Sequence, residues 1–330
     1  MVRQSKWSEK AGVAQRGWSA TARRLLPPLL VAALLGACER SGPEGTAQLR
    51  PKVLLIGIDG VRPDVLTGVP TPNLDGLIGS GAYTAETTTT TPSVSGPSWS
   101  SMLTGVWPEK HGVLSNDFTA PRYAEYPDFL SRIESVRPEL ATVAVADWLP
   151  ILELDGRRAL IGPDVDVREA LDGYEVGWAE GDTRGVNFAV AQLTSGDPDA
   201  LFVYLGNPDE TSHGAGSIGE EYREAIVMAD AEVGRLVRAV QGRATFDGED
   251  WLIVVSTDHG RRADGGHGGD SPEEMTTFII VSGPSAADTI EGPTYIVDVA
   301  VTALAHLGID PPASWRLDGR AVGLSGRPGG

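Results

Sequence analysis

Short β-branched runs that alternate with helical stripes constrain this chain more than any other feature of it. The runs cover residues 53–58, 141–146, 201–205, 252–256 and 278–282, each bounded by turn residues. Runs of that length and content fit buried strands. Between them, Leu74, Leu77 and Ile78 make one helical stripe, and Val186, Val190 and Leu193 a second. Tyr222, Ile226, Val233, Leu236, Val237 and Val240 make a third, and Val297, Val301, Leu304 and Ala305 a fourth. Thr71 before Pro72 places a capping hydroxyl ahead of proline at the first helical position. Strands flanked by helices throughout predict an α/β fold: a mostly parallel central sheet with helices on both faces, in a single domain. Stretches 115–127 and 155–185 have weak periodicity and many Asp, Gly and Pro residues, and are expected to be loop or cap insertions over one end of the sheet.

Ligands of open parallel sheets bind beyond the C-terminal ends of the strands. Three of these runs end in metal-binding residue types. Residues 53–58 lead into Asp59, 201–205 into Asp209 and His213, and 252–256 into Asp258 and His259; His267 follows within Gly265-Gly266-His267-Gly268-Gly269. A lone Asp at a strand end is ordinarily a turn residue. Three Asp and three His brought to one sheet edge instead describe a site for two divalent cations. Cys38 is the only cysteine in the chain, so a thiolate zinc site, an iron–sulfur cluster and an intrachain disulfide are excluded.

Pro92 to Gly105 reads as a loop entering a helix, with Pro97 near its first turn. A hydroxyl at such a start faces backbone N–H groups and the positive end of the helix dipole, which favours an anion. Ser95 is therefore a candidate nucleophile on phosphorus; its plainer reading is a capping serine.

Asp59-Gly60-Val61-Arg62-Pro63-Asp64, Thr71-Pro72-Asn73-Leu74-Asp75, residues 92–112, Asp209 with His213, and Asp258-His259-Gly260 occur in that order. Together they resemble the type I phosphodiesterase/nucleotide pyrophosphatase family of the alkaline phosphatase superfamily, over roughly residues 53–319. The resemblance implies an alkaline-phosphatase-like fold and a phosphoric ester hydrolase with a covalent phosphoryl or nucleotidyl intermediate. It also implies two zinc ions, one held by Asp59, Asp258 and His259 with the Ser95 oxygen, the other by Asp209, His213 and His267. Ser95 stands where the family usually has threonine. Ser98 stands where an asparagine donating to a phosphoryl oxygen is expected, and is taken as the substrate-binding residue. Of the remaining histidines, His111 falls in a family turn that is not a ligand, and His306 lies in an apolar helix and is expected to be packed. Ser95-Gly96-Pro97-Ser98 resembles the sulfatase modification motif, but Trp99 follows where that motif has arginine. A phosphomonoesterase or phosphonate hydrolase of the same superfamily is the alternative, and a non-catalytic ligand-binding surface lipoprotein a more distant one.

The first 37 residues have the layout of a secretory leader, with Arg3, Lys6, Lys10, Arg16, Arg23 and Arg24 ahead of an apolar run. That run ends in Leu35-Gly36-Ala37-Cys38, which resembles a bacterial lipobox. The expectation is a leader over 1–37, acylation of Cys38, a polar tether over 38–50 and one hydrolase domain over 51–330. The protein would then be exported and held to a bacterial membrane by lipid, facing the periplasm or the cell exterior. A formal charge of −18 argues against nucleic acid polymers as partners, because that binding needs clustered Lys and Arg. The expected partner is a small phosphoester.

Overall fold

The computed structural model describes residues 49–326. The leader, most of the tether and Cys38 lie outside the described residues. Eight strands form one sheet: β1 (Arg50–Ile58), β2 (Gly81–Thr88), β3 (Thr142–Ala146), β4 (Val167–Ala170), β5 (Ala200–Leu205), β6 (Glu249–Ser256), β7 (Thr276–Ser282) and β8 (Thr294–Tyr295). Their order across the sheet is β4-β3-β5-β1-β6-β7-β2-β8. The ladders from β4 to β6 are all parallel, while β7 runs antiparallel to both β6 and β2. Two reversals restore the direction, so β2 ends at the same edge as β1, β5 and β6.

β1, β5 and β6 are buried almost throughout because helices cover both faces. On one face Val53, Leu55, Phe202 and Val254 pack with Trp99 and the helix Asp298–His306; on the other, Leu54, Ile56, Val203 and Val255 pack with the helices Trp178–Ser195 and Glu220–Gln241. Side chains that alternate faces along a strand thus find apolar partners on either side, as continuous apolar runs require. Among the described residues no helix is long and apolar enough to cross a membrane.

The expected elements are present, with three local differences. The helix Pro72–Gly79 starts after Thr71, but its hydroxyl does not cap it; the Asp230 carboxylate accepts from Asn73 N (3.1 Å) and Leu74 N (2.8 Å) instead. The stretch 155–185 is not merely a loop, since it supplies edge strand β4, the helix Gly173–Val176 and the start of Trp178–Ser195. The run at 278–282 is a strand, but an antiparallel one, a direction that residue pattern alone does not encode.

Candidate metal centre and nucleophile

Every residue singled out at a strand end lies at one edge of the sheet. Asp59 follows β1 directly, and Asp258 and His259 follow β6 within three residues. Asp209 and His213 stand one turn apart on the helix Asn207–Ala215 after β5, which puts both on one face. His267 comes from the glycine-rich turn between β6 and β7. Ser95 opens the helix Ser95–Thr104, preceded by Val94 as the capping position; its side chain makes no capping bond. The structure therefore places Ser95 inside the first turn, where its hydroxyl is not spent on the backbone.

His259 lies at the centre and is fully buried. Its Nε2 is 3.4 Å from Asp59 Oδ1, 3.5 Å from Asp258 Oδ2, 3.7 Å from Asp209 Oδ1 and 3.3 Å from Ser95 Oγ. The opposite nitrogen, Nδ1, is 3.0 Å from the Gly260 carbonyl. Two acceptors cannot meet, so Nδ1 carries the hydrogen and Nε2 turns its lone pair to the carboxylates, the tautomer a metal ligand needs. Burial lowers the pKa of His259 and keeps the ring neutral. His267 is set the same way: its Nδ1 donates to the Ser93 carbonyl at 3.0 Å, and burial, reinforced by the neighbouring His259, holds its pKa far below the ordinary value. The His267 ring stacks on His259 at 4.1 Å and lies 5.2 Å from His213, whose Nε2 is 3.1 Å from Asp209 Oδ2.

Two carboxylates are each half satisfied by protein. Asp59 Oδ2 accepts from Trp99 Nε1 (2.8 Å) and Tyr204 OH (2.7 Å), and Asp258 Oδ1 accepts from Gly60 N (3.1 Å). Asp59 Oδ1 and Asp258 Oδ2 are buried with no hydrogen-bond partner, and both face His259 Nε2. Buried polar atoms are paired almost everywhere in proteins, so two orphaned carboxylate oxygens aimed at one imidazole lone pair mark a place for a cation. Burial and then the Asp59 charge push the Asp258 carboxyl well above the usual carboxylate range, a repulsion that a divalent ion would relieve. The residues present fit such an ion: Asp59, Asp209 and His259 form one cluster of converging ligand atoms, and Asp209, His213 and His267 another.

Several residues that sequence reasoning did not assign complete the site. Trp99 packs edge-on against Tyr204, 5.1 Å between centroids, and holds Asp59 from beneath. The residue that separates this chain from the sulfatase motif thus supports a candidate ligand carboxylate. Arg261, fully buried, donates through Nη1 to Asp209 Oδ1. Burial lowers its pKa to about 10, which leaves it charged at neutral pH. Gly60, at φ +63°, lets the chain pass here, because a Cβ would meet Asp209 Oδ1 at 2.5 Å and Arg261 Nη1 at 2.9 Å. Asn116 accepts from Gly96 N at 2.6 Å through Oδ1, so its two amide hydrogens remain available beside Ser95.

Ser98 is placed differently from its expected role. It is fully buried one turn into the helix, and its hydroxyl accepts from Thr89 Oγ1 at 3.3 Å. A packed hydroxyl is closed to a phosphoryl group, whereas Asn116, next to the first turn of the same helix, is exposed. Ser93, the nearest rival to Ser95, is committed: its Oγ donates to Gly269 O (2.8 Å) and accepts from Gly268 N (3.1 Å). His111 and His306 are buried away from the ligand clusters, His111 against Ser101 Oγ (3.0 Å) and His306 against the Asp250 carbonyl (2.8 Å).

A family model described as type I phosphodiesterase / nucleotide pyrophosphatase matches residues 53–263. Rat ectonucleotide pyrophosphatase/phosphodiesterase family member 7 is 25% identical over 248 residues, covering 69% of this chain and 53% of the relative. The chain spans about half the length of the curated relatives it matches. Among solved structures, inactive murine ectonucleotide pyrophosphatase/phosphodiesterase 5 in complex with AMP aligns with a TM-score of 0.59 at 15% identity, covering 79% of this chain and 96% of that one. The phosphonate monoester hydrolase of Agrobacterium radiobacter aligns at 0.65 and 17% identity, covering 82% and 76%. At those identities the structural likenesses establish the fold.

Proposed function

This chain belongs to the type I phosphodiesterase/nucleotide pyrophosphatase family, and we propose from that premise that it hydrolyses small phosphoric esters through Ser95. The family is metal-dependent, and the described residues include two groups able to hold an ion. The finer reading is two zinc ions, one with Asp59, Asp258 and His259 as its ligands, the other with Asp209, His213 and His267. All six are nitrogen or carboxylate donors, a set that suits zinc. When bound, the ions lower the pKa of hydroxyl groups and water at the site and neutralise charge on the phosphate.

The chain's own residues do the rest. Ser95 Oγ attacks phosphorus as the ester bond to the leaving group breaks, and water then cleaves the Ser95–phosphorus bond to free the enzyme. The start of the helix Ser95–Thr104 favours the anion, and the Asn116 amide donates to a phosphoryl oxygen. Trp99 and Tyr204 keep Asp59 turned so that Oδ1 faces the centre.

The observation that carries this reading is the convergence of the unpartnered Asp59 Oδ1 and Asp258 Oδ2 within 3.5 Å of His259 Nε2, beside a serine hydroxyl at 3.3 Å. Hydrolysis of p-nitrophenyl phosphate and bis-p-nitrophenyl phosphate, with zinc and with chelator, tests it and separates monoester from diester preference. Ser95→Ala should lower turnover by orders of magnitude with zinc content intact, and Ser95→Thr should keep part of it. Normal rates in Ser95→Ala would defeat the proposal. Export and acylation at Cys38 are part of the same reading, supported by the basic flank, apolar run and Leu35-Gly36-Ala37-Cys38.

A further inference from the structure

Asp209 belongs to both candidate ligand groups. Its Oδ2 is 3.1 Å from His213 Nε2 and its Oδ1 is 3.7 Å from His259 Nε2, so by position alone it could serve either ion or bridge the two. Arg261 removes that freedom. Its Nη1 donates to Asp209 Oδ1, while Nε and Nη2 donate to the Gly265 carbonyl at 2.9 and 2.5 Å. One planar guanidinium therefore ties the helix that carries Asp209 and His213 to the turn that carries His267. That turn already rests on the same helix: Gly265, at φ +87°, packs so close to the Ser212 carbonyl that no Cβ would fit, and just past the helix end Ser217 N donates to Ala263 O at 3.2 Å.

We propose that Arg261 is a positioning residue that commits Asp209, through Oδ2 alone, to the cation group it forms with His213 and His267, and fixes the distance between that pair and His267. Its position next to the Asp258-His259-Gly260 turn lets a single side chain couple the loops after β5 and β6. A lysine has one flexible point charge and cannot engage both Asp209 and the Gly265 carbonyl through a rigid fork. Electrostatics alone predicts the opposite effect of removing Arg261: deleting a buried positive charge beside a cation site should tighten cation binding. The two accounts thus differ in sign.

The inference rests on the two-cation reading, and zinc titration of the purified protein against a chromophoric chelator tests both separately. The wild-type protein should take up two ions. Arg261→Met should weaken the second ion, the one assigned to Asp209, His213 and His267, about 10- to 100-fold, the usual effect of losing a residue that orients a ligand, and leave the first, assigned to Asp59, Asp258 and His259, unchanged. His267→Ala should show the same one-tight, one-weak pattern. Arg261→Lys keeps the charge and should still weaken the second ion, and it carries the test if the Met variant does not fold. Unchanged or tighter binding of the second ion in Arg261→Met, or full recovery in Arg261→Lys, would overturn the assignment. Fewer than two ions in the wild type would instead overturn the two-cation reading itself.

Discussion

Tyr204→Phe isolates one hydrogen bond at the centre of the site. The hydroxyl donates to Asp59 Oδ2 at 2.7 Å and is buried with its ring packed against Trp99 at 5.1 Å. Phenylalanine keeps the ring and its packing, so the change removes the donor and little else. Asp59 Oδ2 retains Trp99 Nε1, but one donor leaves the carboxylate free to swing about that bond, and Oδ1 is no longer held toward His259 Nε2. A hydrogen bond to a charged group contributes about 1.5–3 kcal/mol. If that energy is lost from the bound state, the affinity for the ion proposed at Asp59, Asp258 and His259 should fall about 10- to 150-fold. Zinc competition with a chromophoric chelator reads the shift, and the ion proposed at Asp209, His213 and His267 serves as an internal control because the carboxylate that the Tyr204 hydroxyl orients is that of Asp59. Affinities of both ions within twofold of wild type would refute the reasoning, as would equal weakening of both.

Two other variants probe separate parts of the structure. Ser93→Ala should slow turnover about tenfold by loosening the turn that carries His267, since Ser93 Oγ bonds Gly268 N and Gly269 O; acid-quench labelling should still find phosphate on Ser95, and label on Ser93 would show the nucleophile to be misassigned. Asp147 and Asp182 are buried together where β3 and β5 end, with both Asp147 oxygens unpartnered, and burial pushes Asp182 up to about 7 and Asp147 well above the carboxylate range. The folded state then binds more protons than the unfolded chain, so stability is present below the usual carboxylate pKa and is lost as pH rises through about 7. Asp147→Asn should flatten the dependence of Tm on pH across that window and raise Tm above it; an unchanged slope would count against the pair. Cys38→Ser should abolish lipid labelling in an expressing bacterium, and equal labelling of both forms would defeat acylation there.

The alternation of apolar runs and helical stripes determined the layered α/β architecture, because strand and helix periods are local properties of the chain. The candidate ligands were legible for the same reason: Asp59, Asp209, Asp258 and His259 lie within four residues of strands whose common direction brings their ends together. What the sequence could not carry was the choice of partners. Trp99 and Tyr204 reach Asp59 across 40 and 145 residues of chain, and Arg261 reaches Asp209 across 52. Nothing in their neighbours' spacing marks those bonds. Ser98 illustrates the converse, a position singled out by motif register that the packing of Thr89 against its helix closes off, while Asn116, from an irregular loop, brings its amide to Gly96, the residue after Ser95. Strand direction at β7 was decided in the same way. Periodicity records which side of an element is apolar, whereas hydrogen bonds between distant elements depend on how those elements are set against each other, and only the folded chain sets them.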